Sequence, residues 1–270
     1  MANMALDNLI GGVQKGALIQ TIYGVEKIGK TTFTSKSPAP IFLAVEKGTE
    51  QLDVTRFPKP DTFIDIISAI NYLIQEEHQF QTLVLDSLDA AEILAQREVV
   101  SENKVACIED IGYGSGYKQA DEKMLNMLDG LEMLRDLKGM QIFIIAHSKI
   151  GTFNDPDSES HSIYEIDCRG RVVSRVKYIS DCLLFANHDK IVKEHKQGLK
   201  SEHKAESTGR RTLYTQHKAA FSAGNRIGLP PIIELDGERY WGWINKQYYG
   251  LTAPESISNA NNPTKIKGIK

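Results

Sequence analysis

The eight residues from Gly24 to Thr31 have the types and spacing of a phosphate-binding loop. They fit the pattern G-x-x-x-x-G-K-T of the P-loop, in which glycines let backbone N–H groups converge on phosphate oxygens. The N-terminus of a following helix adds positive potential. In this pattern Lys30 contacts the β- and γ-phosphates, and the hydroxyl of Thr31 binds Mg²⁺. The predicted phosphate-binding residues are Gly24, Val25, Glu26, Lys27, Ile28, Gly29, Lys30, Thr31 and Thr32.

A second candidate metal ligand is Asp86, which ends the apolar run 82–85. A carboxylate that follows a strand downstream of a P-loop typically holds Mg²⁺. The alternative is that Asp86 caps the next helix, although Asp89 could serve as that cap instead. We therefore expect Thr31 and Asp86 to be the protein ligands of Mg²⁺.

Two further ionisable residues, Glu46 and His147, end apolar runs of their own. In open α/β sheets, ligands bind beyond the carboxyl ends of the strands. Glu46 could deprotonate the water that attacks a γ-phosphate, or it could lie in a surface loop. His147 could contact the γ-phosphate and signal to a neighbouring loop, or it could be satisfied at a strand end. Because no second histidine or cysteine lies at ligand spacing, His147 is not expected to bind a metal.

The first half of the chain alternates apolar runs with segments of helical periodicity. The runs that predict buried strands are 18–23, 41–45, 82–85 and 141–146. The segments that predict helices are 61–77 and 118–138. Buried strands separated by helices are typical of a parallel sheet in an α/β domain. This arrangement would bring the strand-end residues to one edge of the sheet.

The pattern changes from about residue 162, where short alternating segments predict antiparallel strands. Residues 187–210 are charged and polar, and we expect an exposed hairpin or loop there. Residues 253–270 have few apolar anchors and predict a flexible tail. The sequence therefore predicts an α/β fold with a mostly parallel central sheet, antiparallel strands in the C-terminal third, and a single domain over residues 1–252.

The composition is that of an ordinary globular protein. The chain has 270 residues, of which 41% are hydrophobic, and a formal net charge of -3. Any nucleic-acid site must therefore be a local basic patch. No window approaches the ~20 apolar residues of a membrane span, so we expect no membrane association, and the N-terminus lacks an export signal pattern. With three cysteines at no metal or redox spacing, this predicts a reducing cytoplasm.

The order of these motifs resembles that of the RecA-like P-loop ATPases. The P-loop with Glu26 and a doubled threonine, and the strand ends at Glu46 and Asp86, are similar to the corresponding RecA motifs. RecA has glutamine where this chain has His147. Residues 223–230 resemble a late segment whose basic residues reach the ATP of a neighbouring subunit, with Arg226 as the remaining cation. Position 224 is glycine where the family usually has lysine.

The match is closer to phage-encoded nucleotide-binding proteins with a compact RecA-like core, which include Sak-type single-strand annealing proteins. The shared segments are 111–117, 146–149 and 225–230, within a resemblance that covers roughly residues 18–235. It implies a RecA-like core that hydrolyses ATP with Mg²⁺, stimulated by DNA, in a host bacterial cytoplasm. Its implied partners are single-stranded DNA, further copies of the chain and a single-strand-binding protein. The implied catalytic residues are Lys30, Glu46, His147 and, from a neighbour, Arg226.

RecA also has a long N-terminal helix for subunit docking and a large C-terminal domain, neither of which is apparent in this chain. We therefore expect rings or short filaments rather than long ones.

Two predicted loops are candidates for contact with DNA. Residues 101–118 set tyrosines and a lysine among glycines, which suits base stacking, or the tyrosines could pack back on the domain. Residues 150–178 follow the strand that ends at His147, at the place where RecA has a DNA-binding loop. Their last part is basic, which suits contact with DNA, although a run of charged residues could also be a solvated surface. The candidate residues are Tyr113, Tyr117, Lys118, Arg169, Arg171, Arg175 and Lys177.

Other functions remain compatible with the same motifs. A replicative helicase or a partner-loading ATPase would share the core, and directional unwinding would distinguish it from annealing. A non-catalytic switch would bind ATP without turnover, so Glu46→Ala would change nothing. A GTPase is disfavoured, because Asn245-Lys246 lacks the aspartate that recognises guanine.

Overall fold

The computed structural model describes residues 11–154, 159–197 and 200–251. Within residues 190–208 it describes the backbone alone. The predicted tail at 253–270 lies outside the described residues, so the domain limit at 252 stays a prediction.

The described chain folds into strands and helices that alternate through its first half. The strands are β1 Ile19–Gly24, β2 Pro40–Ala44, β3 Thr55–Arg56, β4 Thr82–Asp86, β5 Gln141–Phe153, β6 His161–Ile166, β7 Cys182–Gln197, β8 Lys200–Tyr214, β9 Gly224–Asn225 and β10 Ile232–Glu234. The helices are α1 Lys30–Thr34, α2 Phe63–Gln75, α3 Leu88–Asn103, α4 Ser115–Lys138, α5 Gly170–Ile179 and α6 Gly237–Trp243, followed by a π-helical turn Ile244–Tyr249.

The central sheet has the strand order β10-β8-β7-β1-β5-β4-β2-β3. The strands from β7 to β3 in this order pair in parallel. Antiparallel pairing joins β8 to β7 and to β10. The predicted fold class, a mostly parallel sheet flanked by helices with antiparallel strands near the C-terminus, is confirmed.

Both faces of the sheet are buried, because successive side chains of each strand enter different hydrophobic clusters. In β4, Leu83 and Leu85 pack in the cluster beneath α2 to α5, whereas Val84 packs in the cluster beneath α1 and α6. Helix α4 contributes the fully buried Leu128 and Leu131 at a spacing of three residues. This double burial explains why the strands read as continuous apolar runs rather than alternating ones.

Residues 187–197 and 200–210 form the two strands of a hairpin, as expected. Strands β7 and β8 pair from Phe185 opposite Tyr214 to Gln197 opposite Lys200. Ala186 of β7 lies opposite Gly24, the last residue of β1, so the hairpin continues beyond the carboxyl edge of the sheet.

The two segments proposed for DNA contact are more regular than loops. Residues 150–178 contain the end of β5, its antiparallel partner β6 and helix α5. The helix forms because Val172, Val176 and Ile179 are spaced to share one buried face. In the other segment, α4 already begins at Ser115. The expectation of loops was therefore wrong over 101–103, where α3 ends, over 115–118 and over most of 150–178.

In the part of the chain that the structure describes, no helix has the length and apolarity needed to cross a bilayer.

Candidate functional site

The predicted phosphate-binding loop connects β1 to α1 at the carboxyl edge of the sheet. Gly24 has φ 154°, and a Cβ there would lie 2.0 Å from the carbonyl oxygen of Ala186 in β7. Gly29, with φ 106°, starts α1 in the left-handed region. Glycine is therefore required at both ends of the loop: at Gly24 because the backbone of β7 leaves no room for a side chain, and at Gly29 because of its left-handed conformation. Between them, the fully buried Ile28 anchors the loop in the core.

Lys30 lies within this loop, with 5% of the residue exposed. Its Nζ donates hydrogen bonds of 3.0 Å to the carbonyls of Gly24 and Val25. Burial lowers the pKa of Lys30, although the negative charge of Asp86 opposes the shift. A desolvated amine at the centre of the loop is suited to bind phosphate oxygens, since low dielectric strengthens the attraction.

The side chains of Thr31 and Asp86 are in direct contact. The Thr31 hydroxyl donates a 2.8 Å hydrogen bond to Oδ2 of Asp86. Asp86 is 4% exposed, and burial raises its pKa against the opposing hydrogen bond from Thr31. A hydroxyl and a carboxylate oxygen are hard ligands of the kind that Mg²⁺ takes, and neutralising a buried carboxylate favours a cation there. The donor set therefore fits Mg²⁺.

Glu46 and His147 reach the same edge from β2 and β5. The backbone N–H of Glu46 donates to the carbonyl of Asp86 at 3.3 Å, which holds the two carboxylates near each other. Nε2 of His147 lies 3.8 Å from Oε1 of Glu46. Burial raises the pKa of Glu46, while the adjacent His147 opposes the shift. His147 is not the last residue of its strand, because β5 continues to Phe153.

These side chains surround a cavity of about 540 Å³. Its lining also includes Gly48, Gln51 and Leu52 from the segment after β2. We call it the carboxyl-edge cavity. Of the predicted phosphate-binding residues, Glu26, Lys27, Gly29, Lys30, Thr31 and Thr32 line it.

Sequence reasoning missed the role of Asp89, which it considered only as a helix cap. Ser87 caps α3, accepting from the N–H of Ala90 at 3.4 Å. Asp89 instead accepts hydrogen bonds from the backbone N–H of His147 at 3.0 Å and from its Nδ1 at 2.8 Å. Ligand atoms of Glu46, Asp89 and His147 all lie within 4.8 Å of one another. The sequence analysis looked only for a second histidine or cysteine and did not consider these two carboxylates; its expectation that His147 binds no metal stays a prediction.

Arg211 is a second residue that the sequence did not indicate. It lies on β8, and its Nη1 donates a 3.3 Å hydrogen bond to the carbonyl of Ile28 in the phosphate-binding loop. This contact joins residues 183 positions apart, so no local pattern could have revealed it. It ties the base of the β7–β8 hairpin to the loop.

Arg226 lies at the opposite edge of the sheet. It pairs with Asp181 at 3.3 Å and donates to the carbonyl of Tyr178 at 3.2 Å. Asp181 precedes β7 and accepts from the N–H of Ile19, the first residue of β1. Arg226 is thus a strand length, roughly 20 Å, from the phosphate-binding loop of its own chain, and it could serve only a neighbour's site.

The predicted DNA-contacting tyrosines differ in their surroundings. Tyr113 is fully exposed at the tip of the turn before α4, and its φ is 55°. Tyr117 donates to Glu109, and the guanidinium of Arg169 lies 4.4 Å from its ring centroid. Lys118 is exposed on α4. Of these two tyrosines, Tyr113 therefore presents the open aromatic face.

The arginines at and within α5 are paired with acidic side chains of α4. Nε of Arg169 lies 2.9 Å from Asp121, and Nη1 of Arg171 lies 2.6 Å from Glu122. Arg175 contacts Asp129 at 2.7 Å and also Glu132. Lys177 instead donates to the hydroxyl of Ser222 at 3.4 Å. The contacts of the three arginines hold α5 against α4, an arrangement that the sequence analysis could not predict.

Comparison with known proteins agrees with this geometry. The family model described as "AAA domain" matches residues 17–227, which include every element of the site, and the chain belongs to this family of P-loop ATPases. The chain is also similar to the SPbeta prophage-derived uncharacterized protein YorG of Bacillus subtilis strain 168, at 26% identity over 136 residues. That alignment covers 47% of this chain and 40% of the relative.

Proposed function

We propose that this chain hydrolyses ATP to ADP and phosphate and couples the cycle to binding and annealing of single-stranded DNA. The observation that carries the proposal is the convergence of Lys30, Thr31, Asp86 and Glu46 on one cavity. Membership of the AAA-domain family supports nucleotide binding. The prophage origin of the relative supports a phage source, and with it a role in phage DNA metabolism in the host cytoplasm.

In the proposed reaction each residue has a distinct task. Lys30 binds the β- and γ-phosphates, and Thr31 and Asp86 hold Mg²⁺, which when bound neutralises charge on those phosphates. Glu46 accepts a proton from water while the water oxygen bonds to the γ-phosphorus and the bond to the β-phosphate oxygen breaks. The raised pKa of Glu46, caused by burial, brings this base closer to neutral pH, where general bases work best.

The same structure suggests how nucleotide state would reach a partner. His147 lies between Glu46 and the β5–β6 hairpin, because β5 continues without a break from the cavity to Phe153. Contact of His147 with the γ-phosphate would therefore act on the hairpin directly. Ile150 and Phe153 are 69% and 44% exposed there, which offers an apolar surface to a partner.

For the DNA contact, we favour the turn at Tyr113 over helix α5. The exposed ring of Tyr113 can stack on a base, and the adjacent glycines allow the backbone of a strand to approach. The arginines of α5 already bind carboxylates of α4. Assembly of several copies on DNA, as a ring or short filament, and cooperation with a single-strand-binding protein complete the proposal.

The first test is the ATPase rate of wild type and Lys30→Ala with and without single-stranded DNA. Stimulation by DNA that is lost in the variant would support the proposal. Turnover that depends on Lys30 but ignores DNA would overturn the DNA-coupled part and indicate a motor or loader that acts on a protein partner. Absence of turnover despite ATP binding would indicate a switch.

The second test separates the DNA contact from catalysis. Tyr113→Ala should weaken binding of a fluorescein-labelled oligothymidine by about 5- to 150-fold, since stacking contributes about 1–3 kcal/mol per base. Tyr72→Ala, which removes a 55% exposed tyrosine on α2, is the matched control and should bind like wild type. Equal affinities of all three proteins would refute the contact at Tyr113.

A further inference from the structure

Asp89 holds His147 by two hydrogen bonds at once. Its Oδ1 accepts from the backbone N–H of His147 at 3.0 Å, and its Oδ2 accepts from the ring Nδ1 at 2.8 Å. The side chains of Asp89 and His147 are 19% and 24% exposed, so neither bond is freely open to solvent. Both the main chain and the ring of His147 are thereby fixed relative to the first turn of α3.

This contact determines which ring nitrogen faces the cavity. A carboxylate only accepts hydrogen bonds, so the proton must reside on Nδ1 of His147. Nε2 then points away from Asp89 and lies 3.8 Å from Oε1 of Glu46. A histidine oriented in this way by an outer carboxylate is a recurrent device for fixing both tautomer and ring direction.

A simpler role for Asp89 would be to stabilise the N-terminus of α3 by charge. Acidic residues in the first turn do so through the helix dipole. That role requires no particular partner, whereas Asp89 bonds twice to a residue 58 positions away. Burial alone would raise the pKa of Asp89, but the hydrogen bonds from His147 outweigh burial and lower it, so the carboxylate stays ionised at neutral pH.

We infer that Asp89 is a positioning residue for ATP hydrolysis, which fixes the His147 ring so that Nε2 stays beside Glu46. Asp89 does not touch the reacting atoms. It acts through His147, whose ring lies 3.8 Å from Oε1 of Glu46 and limits the orientations that this carboxylate can take. The inference rests on the proposed function, because it assigns a role in the same reaction.

The chain offers a matched control one turn along the same helix. Glu92 also accepts a backbone hydrogen bond, from Arg169 at 3.0 Å, and is similarly buried. It does not line the carboxyl-edge cavity. Glu92→Gln therefore makes the same carboxylate-to-amide change as Asp89→Asn at another contact between α3 and a later segment, without touching His147.

The experiment compares wild type, Asp89→Asn, Asp89→Ala and Glu92→Gln by steady-state kinetics. Asp89→Asn should lower kcat by about 10- to 100-fold and change KM for ATP by less than about 3-fold, as expected when a reacting group loses its orientation. Asp89→Ala should behave similarly, and Glu92→Gln should keep kcat within about 2-fold. Normal kcat in both Asp89 variants, or an equal loss in Glu92→Gln, would overturn the inference.

A second readout needs no turnover. The ¹⁵N chemical shifts of the His147 imidazole, recorded without nucleotide, should show Nδ1 protonated in wild type and a changed tautomer in Asp89→Asn. Unchanged shifts would refute positioning even if kcat fell. If wild type itself failed to hydrolyse ATP, the proposed function would be wrong, and the NMR result would still decide whether Asp89 orients the ring.

Discussion

Two cavities of similar volume lie at opposite edges of one sheet. The carboxyl-edge cavity measures about 540 Å³, and the other, which we call the amino-edge cavity, measures about 590 Å³. The amino-edge cavity is lined by residues that precede β1, β5 and β7, such as Leu18, Gly139 and Asp181. Volume alone would not distinguish the two.

The charges at the two edges differ in their exposure. At the carboxyl edge Lys30 and Asp86 are about 5% exposed, and burial shifts the pKa of each towards its neutral form. At the amino edge the side chains of Arg135, Lys138 and Asp181, which line the cavity, are 20–22% exposed. Keeping several buried charges together costs stability, so such a cluster is more often found where function requires it. Desolvated charge, rather than shape, marks the site.

The largest expected effect is that of Lys30→Ala, which should reduce ATP turnover by a factor on the order of 100 or more, since Lys30 stabilises charge on the transferred phosphate. Lys138→Ala removes a lysine from the amino-edge cavity and should change turnover by less than about 2-fold. Steady-state phosphate release measures both. Comparable losses in the two variants would break the distinction between the cavities.

Glu46→Gln should lower kcat by about 100- to 10,000-fold while ATP still binds, because the amide keeps the shape but cannot accept the proton. Fluorescent-nucleotide titration and single-turnover hydrolysis together would measure this. If affinity and kcat fell together, Glu46 would serve binding rather than proton transfer.

Arg226 would connect the two edges if it acted on a neighbour. Arg226→Ala and Lys30→Ala should each be inactive alone, whereas a 1:1 mixture should recover roughly a quarter of wild-type turnover in a head-to-tail assembly. The matched mixture of Lys30→Ala with Glu46→Gln should stay inactive, because each defect lies in the same site. A mixture with Arg226→Ala that stayed inactive would count against action in trans.

The smallest expected effect concerns stability and pH. The hydrogen bond to Asp89 raises the pKa of His147, so its stabilisation is present below about pH 6.5 and is lost as pH rises through the folded value. The lowered pKa of Asp89 limits the effect at acidic pH, below about 3.9. Asp89→Asn should therefore lower Tm more at pH 5.5 than at pH 8.5, by about 2–4 °C.

The control for this measurement comes from the amino edge. The Arg226–Asp181 pair contains no histidine, so Arg226→Ala should shift Tm equally at both pH values, corresponding to about 1 kcal/mol or less. A pH-independent effect of Asp89→Asn would show that the carboxyl-edge pair is also a simple surface contact.

Most of the carboxyl edge could be predicted from sequence, because parallel strands bring their ends together. A motif fixed Lys30 and Thr31, and apolar runs that end in Glu46, Asp86 and His147 placed those residues beside it. The structure brings all five to one cavity. Their chemical roles stay predictions.

What sequence could not supply depends on contacts between distant segments. Asp89 meets His147 across 58 positions, and Arg211 meets Ile28 across 183. Neither contact has a periodicity or spacing to reveal it. Helix α5 was missed for a different reason: its buried Val172, Val176 and Ile179 are few, and the charged residues between them dominated the pattern.

The β7–β8 hairpin is a long arm that extends away from the phosphate-binding loop. From Ala186, beside the loop, β7 continues to Gln197, a length of about 36 Å at about 3.3 Å per residue. The base of this arm is bonded to the loop through Arg211 and the carbonyl of Ile28. Bending the arm would move that bond. A molecule that binds the far end of the hairpin would therefore alter the conformation of the phosphate-binding loop without entering the carboxyl-edge cavity.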